Sequence, residues 1–248
     1  MGVVTVRNIA IGQGIPKICI PIVAPAREGI LKEAKSLLSL PCDLVEWRCD
    51  WYEDIFAEGT GRILADLREI LGDKPILCTF RTKEEGGARN ASPAQYHSLI
   101  CQMIEEAASD LVDLELFSLS GSLKQLTALA REKGVKTIVS SHDFSRTPSR
   151  EEMLNRLLQM EEGGADIAKL AVMPEHPEDV LELLSVTCQF SDGAGHIPLI
   201  TMSMGELGCV SRLCGRIFGS AVTFGSAGCA SAPGQISAEE LSRILQIL

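Results

Sequence analysis

The stretch GADIAKLAVMP, residues 164–174, reads as a buried β-strand that contains one charged side chain. Ile167, Leu170 and Val172 belong in an apolar core, yet Lys169 stands among them. A lysine in such surroundings must pair with an opposite charge, lose its own charge or take part in chemistry. Which of the three applies depends on what the fold places beside this lysine.

Seven further apolar segments of similar length recur along the 248-residue chain. Segments with helical periodicity separate them, and some open with capping residues, such as Ser92 with Gln95 and Ser149 with Glu152. The strand-like segments are 17–24, 43–50, 75–81, 111–117, 136–144, 166–174, 198–204 and 221–226.

This alternation of eight strands with helices predicts a closed (β/α)8 barrel, an α/β fold that often takes about 250 residues. A doubly wound open sheet is the alternative, but it rarely runs through eight evenly spaced units without an interruption. Residues 1–248 are expected to form one domain. Residues 1–14 alternate like a short β-hairpin, which we expect to close the bottom of the barrel.

Composition narrows the possible partners and the cellular compartment. The net charge is −10, aromatic residues make up 4% and no basic cluster occurs, which argues against nucleic-acid binding. No apolar run approaches the roughly 20 residues of a membrane span, and the N-terminus lacks the features of a signal peptide. The nine cysteines include no CxxC pair. We therefore expect reduced thiols, no cysteine metal site and a cytoplasmic location.

The second to sixth predicted strands each place ionisable side chains on one shared face. In residues 43–50, Glu46 and Arg48 alternate with apolar residues, and Lys169 alternates with Leu170 and Val172. In a barrel such side chains point towards the axis, and those near the carboxyl ends of the strands form the active site. Five consecutive strands contribute Glu46, Arg48, Arg81, Asp113, Glu115, His142 and Lys169 to this face.

Each of these residues also has a purely structural interpretation. Lys169 alone fits an ion pair, Glu46 with Arg48 fits a buried salt bridge, and a lone histidine such as His142 is usually a hydrogen-bonded core residue. Burying so many charges together costs several kcal/mol each before pairing, which stability does not require. The set therefore predicts a functional site, with Asp113 and Glu115 interpreted as structural charges that balance the arginines.

A series of short motifs, in order along the whole chain, resembles the type I 3-dehydroquinate dehydratase family. The motifs are EWRCD at 46–50, FRTKEEGG at 80–87, SSHDF at 140–144, ADIAKLAVMP at 165–174, TMSMGELGCVSR at 201–212 and SAPGQIS at 231–237. The pieces are weak individually, but their combination is highly specific.

The resemblance implies a barrel enzyme of the shikimate pathway that needs no cofactor and no metal. Its substrate would be 3-dehydroquinate, and relatives suggest a homodimer. Lys169 matches the imine-forming lysine and His142 the general acid and base. The positions that match substrate-holding residues are Glu46, Arg48, Arg81, Arg212, Ser231 and Gln235, and Glu85 matches a carboxylate near the site.

Two positions depart from the family pattern, and neither is expected to touch the chemistry. Pro21 stands where we expect a serine, and Glu206 where a lysine is common.

The chemistry requires an uncharged lysine, and we expect burial together with nearby cations, Arg48 or protonated His142, to favour that form. A class I aldolase and an inactive barrel that serves as a sensor or scaffold remain the alternatives.

Overall fold

A computed structural model describes residues 2–106, 108–119, 121–228 and 234–248. An antiparallel hairpin opens the chain, and nine parallel strands follow in one sheet. The strands are β1 (Val4–Val6), β2 (Ile9–Ile11), β3 (Lys17–Ile22), β4 (Leu44–Arg48), β5 (Ile76–Thr79), β6 (Leu111–Glu115), β7 (Lys136–Asp143), β8 (Ile167–Val172), β9 (Leu199–Ser203), β10 (Val222–Ser226) and β11 (Ile236–Ser237).

The sheet curls into a closed barrel, which confirms the predicted (β/α)8 fold and excludes the doubly wound alternative. Strands β3 to β9 pair in chain order, and β10 pairs with β3. The ring closes where Leu199 bridges Ser220 and the Ala221 N–H donates to the Leu199 carbonyl at 2.8 Å. The two-residue β11 pairs with the end of β10.

Helices cover the outside of the barrel. A large apolar core between strands and helices contains Trp47 and Phe80, and both side chains are fully buried. The helices are α1 (Arg27–Ser36), α2 (Ile55–Glu58), α3 (Gly61–Leu71), α4 (Pro93–Glu106), α5 (Leu123–Lys133), α6 (Arg150–Glu162), α7 (Pro177–Gln189), α8 (Gly215–Phe218) and α9 (Ala238–Ile247).

Local capping explains where several helices begin. Ser149 and Ser237 accept hydrogen bonds from the backbone N–H of Glu152 and Glu240, and Ser92 forms the predicted capping box with Gln95. None of the described helices is long and apolar enough to cross a membrane. The eight described cysteines are all free thiols.

A second apolar cluster fills the amino-terminal half of the barrel interior. The first inward-facing residues of the strands pack here with Val6 and Ile11 of the hairpin. Arg7, at the hairpin turn, donates to Asp110 just before β6 at 2.5 Å. The hairpin thus covers the bottom of the barrel as predicted. The interior residues of this layer are Cys19, Leu44, Leu77, Leu111, Ile138, Ile167, Ile200 and Val222.

Candidate active site

A cavity opens at the carboxyl ends of the strands, the end where barrel active sites lie. Ser231 lies outside the described residues, and the other eight predicted site residues all line this cavity. They are Glu46, Arg48, Arg81, Glu85, His142, Lys169, Arg212 and Gln235.

Lys169 reaches the cavity from the middle of β8, where the parallel register sets it beside Ser140 of β7. The side chain is 4% exposed. Its Nζ donates to Asp113 Oδ2 at 3.4 Å, lies 3.7 Å from Glu46 Oε1 and stands 4.5 Å from the centroid of the Phe224 ring. The charged groups paired with this lysine are therefore carboxylates, whereas sequence reasoning expected cations.

His142, near the end of β7, forms a tight pair with Glu85. The same oxygen, Glu85 Oε2, accepts the His142 backbone N–H at 3.0 Å and lies 2.8 Å from Nδ1. Because Oε2 already acts as an acceptor, we assign the proton of the ring to Nδ1. Nε2 then carries the lone pair, so the ring has the form that a general base requires.

The surroundings keep both members of this pair uncharged near neutral pH. Burial lowers the pKa of His142 well below its usual 6.5, and the positive charges of Arg81, Lys169 and Arg48 lower it further. Burial raises the pKa of Glu85 to about 8, although Arg81 opposes that shift. His142 is therefore available to accept a proton at pH 7.

Two glycines allow Glu85 to reach the histidine. Glu85 ends a short 3-10 turn, and Gly86 follows in the left-handed region at φ 82° with its Cα against the Phe144 ring. A side chain on Gly87 would collide with the carbonyl of Arg81. The loop can therefore fold back over the end of β5, and this brings Glu85 under His142.

Arg48 is held by a carboxylate that sequence reasoning did not place in the site. Its Nε and Nη2 donate to the two oxygens of Asp50, each at 2.8 Å, and Asp50 is fully buried. Asp50 also accepts the backbone N–H groups of Arg81 and Ala88 at 3.2 and 3.0 Å. Asp50 lies in the 3-10 turn Cys49–Trp51 that follows β4. Its position two residues after Arg48, on the same face of the predicted strand 43–50, is the signal that could have identified it.

Glu46 has partners other than Arg48, the residue with which the sequence paired it. Thr79 Oγ1 donates to Glu46 Oε1 at 2.9 Å, and the same oxygen is the one that faces Lys169. Glu46 thus links β4, β5 and β8 at the cavity wall.

Arg81 lies among three carboxyl groups and is almost fully buried. Its Nη1 donates to Glu115 at 3.0 Å and to Ser140 at 2.9 Å, and Glu85 Oε2 lies 3.5 Å away. Its Nη2 forms an ion pair with Asp113 Oδ1 at 2.8 Å. Asp113 and Glu115 thus balance an arginine, as the sequence suggested, but Asp113 also contacts Lys169.

Arg212 stands on the other side of the cavity, in a 3-10 turn at Cys209–Arg212. Burial lowers its pKa, and its Nη1 lies 3.8 Å from the sulfur of Met202. The Ser211 hydroxyl fixes this turn through a 2.6 Å bond to the Gly208 carbonyl. Gln235 lines the cavity from the segment after the undescribed residues.

Neither of the two departures from the family pattern is part of the cavity lining. Pro21 is buried in β3 opposite Glu46, and Glu206 is exposed in the turn after β9. Within the described part of the chain, no three His, Cys, Asp or Glu side chains are grouped so that they could hold a metal ion.

Comparison with known proteins agrees with the geometry. The model of the type I 3-dehydroquinase family matches residues 18–248. The 3-dehydroquinate dehydratase of Enterococcus faecalis is 46% identical over 98% of this chain and 96% of its own, and that of Syntrophotalea carbinolica is 47% identical over 100% and 98%.

Comparison with solved structures points to the same family. A type I 3-dehydroquinate dehydratase from Clostridium difficile, crystallised with covalently modified comenic acid, has a TM-score of 0.96, 44% identity and coverage of 100% of this chain and 98% of its own. A 3-keto-L-gulonate-6-phosphate decarboxylase from Vibrio cholerae, at 13% identity and a TM-score of 0.60 over 94% and 99%, shares the fold alone. The chain belongs to the type I 3-dehydroquinase family.

Proposed function

We propose that this chain is a 3-dehydroquinate dehydratase that works through an imine on Lys169. The observation that carries the proposal is that a buried lysine and a neutral histidine line one cavity together with three arginines. The relatives named above support the reaction, since 3-dehydroquinate dehydratase is the activity in their names.

Imine formation starts when the Lys169 ammonium loses a proton and the neutral amine attacks the ketone of 3-dehydroquinate. His142 accepts and returns protons as the tetrahedral adduct loses water. The product is a protonated imine, which withdraws electrons far better than the neutral ketone.

Elimination follows on the imine. His142 takes the proton from the carbon next to the imine carbon, and the electron pair of that C–H bond moves towards the imine nitrogen. The electrons then return to form the new C=C bond as the ring hydroxyl departs, and His142 donates the proton that makes it water. A second water hydrolyses the imine and releases 3-dehydroshikimate. Every step uses side chains and water, so the reaction needs no cofactor and no metal.

The arginines divide the work of binding. Arg212, with its guanidinium poorly solvated, pairs with the ring carboxylate, a bidentate contact that arginine geometry favours. Arg48 and Glu46 bind ring hydroxyls. Arg81 has its charge shared between the carboxylates of Asp113 and Glu115, so it contributes mainly through the geometry it imposes on them. Gln235, which lines the cavity, contacts the bound substrate, and the resemblance gives Ser231 a substrate-binding role as well.

The homodimer implied by the resemblance and the cytoplasmic location expected from the cysteines belong to the same proposal. Leu181 on α7 and Ile217 on α8 are 63% and 60% exposed, and such apolar side chains support a partner on that face. Light scattering on the purified chain tests the dimer.

Supplying 3-dehydroquinate and recording ultraviolet absorbance tests the activity. The enone of 3-dehydroshikimate absorbs where the substrate does not, so absorbance should rise with time in proportion to enzyme. A chain that leaves 3-dehydroquinate untouched but cleaves a sugar phosphate would be an aldolase. A chain that binds 3-dehydroquinate without turning it over would fit the sensor alternative.

A further inference from the structure

Asp113 connects the reactive end of Lys169 to the rest of the charged network. One of its oxygens, Oδ1, accepts the Ser140 hydroxyl at 2.6 Å and pairs with Arg81 Nη2 at 2.8 Å. The other, Oδ2, accepts from Lys169 Nζ at 3.4 Å. Asp113 is fully buried in β6, and it does not appear in the lining of the cavity. Both oxygens of Asp113 therefore have partners within the protein, and Lys169 is the partner of Oδ2.

We propose that Asp113 is a positioning residue and the permanent counter-ion of the Lys169 nitrogen, first as the ammonium and then as the protonated imine. The inference rests on the imine mechanism proposed above and adds a residue to it. Asp113 touches neither substrate nor solvent, so it acts only through Lys169 and Arg81.

Glu46, the other carboxylate near the lysine, is poorly suited to that role. It is 3.7 Å from Nζ and lines the cavity, where a substrate hydroxyl competes for its oxygens. Asp113 stands behind the lysine, and Ser140 and Arg81 fix its other oxygen. Substrate can draw Glu46 away from the lysine, whereas it has no access to Asp113.

The charges around Lys169 determine what removal of Asp113 would do. Glu46 on β4 faces the nitrogen with negative charge, while Arg48 at the end of β4 and Arg81 after β5 bring positive charge to the same cavity. His142 on β7 is uncharged near pH 7, and burial keeps Glu85 protonated up to about pH 8. Loss of the Asp113 charge leaves Glu46 as the remaining carboxylate within 4 Å of the nitrogen in the described part of the chain.

Two effects of opposite sign follow from that loss. The ammonium is less stable, so the free amine that attacks the ketone forms at lower pH. The protonated imine is also less stable, so a smaller fraction of the imine carries the proton that makes it an electron sink, and the elimination slows. A residue that only supports the fold would not move the pH dependence and the rate in these two directions.

Asp113→Asn tests the proposal, because it removes the charge and keeps the shape. The initial rate at which sodium cyanoborohydride traps the enzyme with 3-dehydroquinate is measured between pH 5 and 9 by mass spectrometry of the intact chain. We expect the pH at half-maximal trapping to fall by about one unit. We also expect kcat to fall by about tenfold or more, with a KM close to that of wild type.

The variant should fold, because each cation keeps another carboxylate: Arg81 keeps Glu115 and Lys169 keeps Glu46. Circular dichroism checks this, and Asp113→Ser provides a second, smaller uncharged side chain with the same expected shift. Ser140→Ala is the matched control, since it disturbs the same network but leaves the Asp113 charge, and its trapping midpoint should stay near that of wild type.

Two outcomes overturn the inference. A folded Asp113→Asn or Asp113→Ser variant with an unchanged trapping midpoint would do so, and so would a Ser140→Ala variant with the same shift. Failure of the imine mechanism itself looks different, because wild type would then give no trapped adduct at any pH.

Discussion

The two ends of the barrel interior are built from the same strands but have opposite character. Along β4, the inward-facing residues are Leu44 and then Glu46; along β8 they are Ile167 and then Lys169. The first residue of each pair lies in the apolar layer that the hairpin covers. The second lies in the charged layer at the cavity. A step of two residues, less than 7 Å of strand, separates the two environments.

This difference assigns different tasks to the two ends. Apolar side chains that are fully buried, such as Leu111 and Ile138, stabilise the fold by an amount that grows with the area removed from water. Buried charges such as Asp113 and Arg81 contribute little net stability, since desolvation offsets much of their attraction. The apolar end therefore supports the fold, and the charged end can be organised for chemistry.

The largest expected effect is at the charged end. Lys169→Ala removes the amine that forms the imine, so kcat should fall by on the order of 10⁴-fold or more while the substrate still binds. Absorbance assays and calorimetric titration with 3-dehydroquinate measure the two quantities. Lys136→Ala is the control from the other end, where Lys136 begins β7 and pairs with Asp166 at 2.9 Å. Normal turnover in Lys169→Ala, or an equal fall in kcat in both variants, would contradict the different tasks assigned to the two ends of the barrel.

His142→Ala should have the next largest effect. Loss of the general acid and base is expected to lower kcat by about 10² to 10⁴-fold, with imine formation and elimination both slowed. The exposed His196 lies just before β9, away from the cavity lining, and His196→Ala should keep wild-type kcat. Steady-state kinetics measure kcat for both variants, and a similar kcat for the two would contradict the role of His142.

A substitution in the apolar layer should show the reverse pattern. Leu111→Ala leaves a cavity beneath the charged layer and should cost about 2–5 kcal/mol of unfolding free energy. The molecules that remain folded should keep the wild-type kcat. Urea denaturation and active-site titration measure these two quantities, and Leu38→Ala, at an exposed position just after α1, should change stability little. A large fall in kcat per folded Leu111→Ala molecule would show that the ends are not separable.

The smallest expected effect is a change in the pH dependence of stability. The folded state raises the pKa of Glu85 from 4.5 to about 8, so it keeps a proton that the unfolded chain releases. Stability from this group is therefore lost as pH rises between about 4.5 and 8. Glu85→Gln has no carboxyl group at this position and so does not lose stability in this way. Its free energy of unfolding, relative to that of wild type, should therefore increase by about 1 kcal/mol or more when the pH is raised from 5.5 to 8. Urea denaturation at both pH values tests this, and parallel curves for the two proteins would contradict it.

Alternation along the strands was enough to predict the barrel and much of the cavity. Glu46, Arg48, Arg81, His142 and Lys169 come together because side chains alternate with a period of two and parallel strands end at the same side. Arg212 and Gln235 lie on turns, where no periodicity operates. They were identified from the family resemblance alone.

The partners of Lys169 could not be predicted in the same way. Which side chain faces its nitrogen depends on the register between β6, β7 and β8 and on side-chain rotamers, neither of which a single strand encodes. Asp113 was therefore interpreted as structural, and the neighbours of the lysine were expected to be cations. The loop that brings Glu85 to His142 depends on the backbone freedom of Gly86, another feature that alternation does not report.

Reductive trapping tests the central claim most directly. The enzyme is incubated with 3-dehydroquinate and borohydride, digested, and its peptides are mapped by mass spectrometry. If Lys169 is the reactive group of the charged end, the peptide that contains it should carry the reduced adduct, and the peptide that contains Lys136 should be unmodified. A chain that turns over 3-dehydroquinate without any adduct on Lys169, or with the adduct on another lysine, would contradict the account.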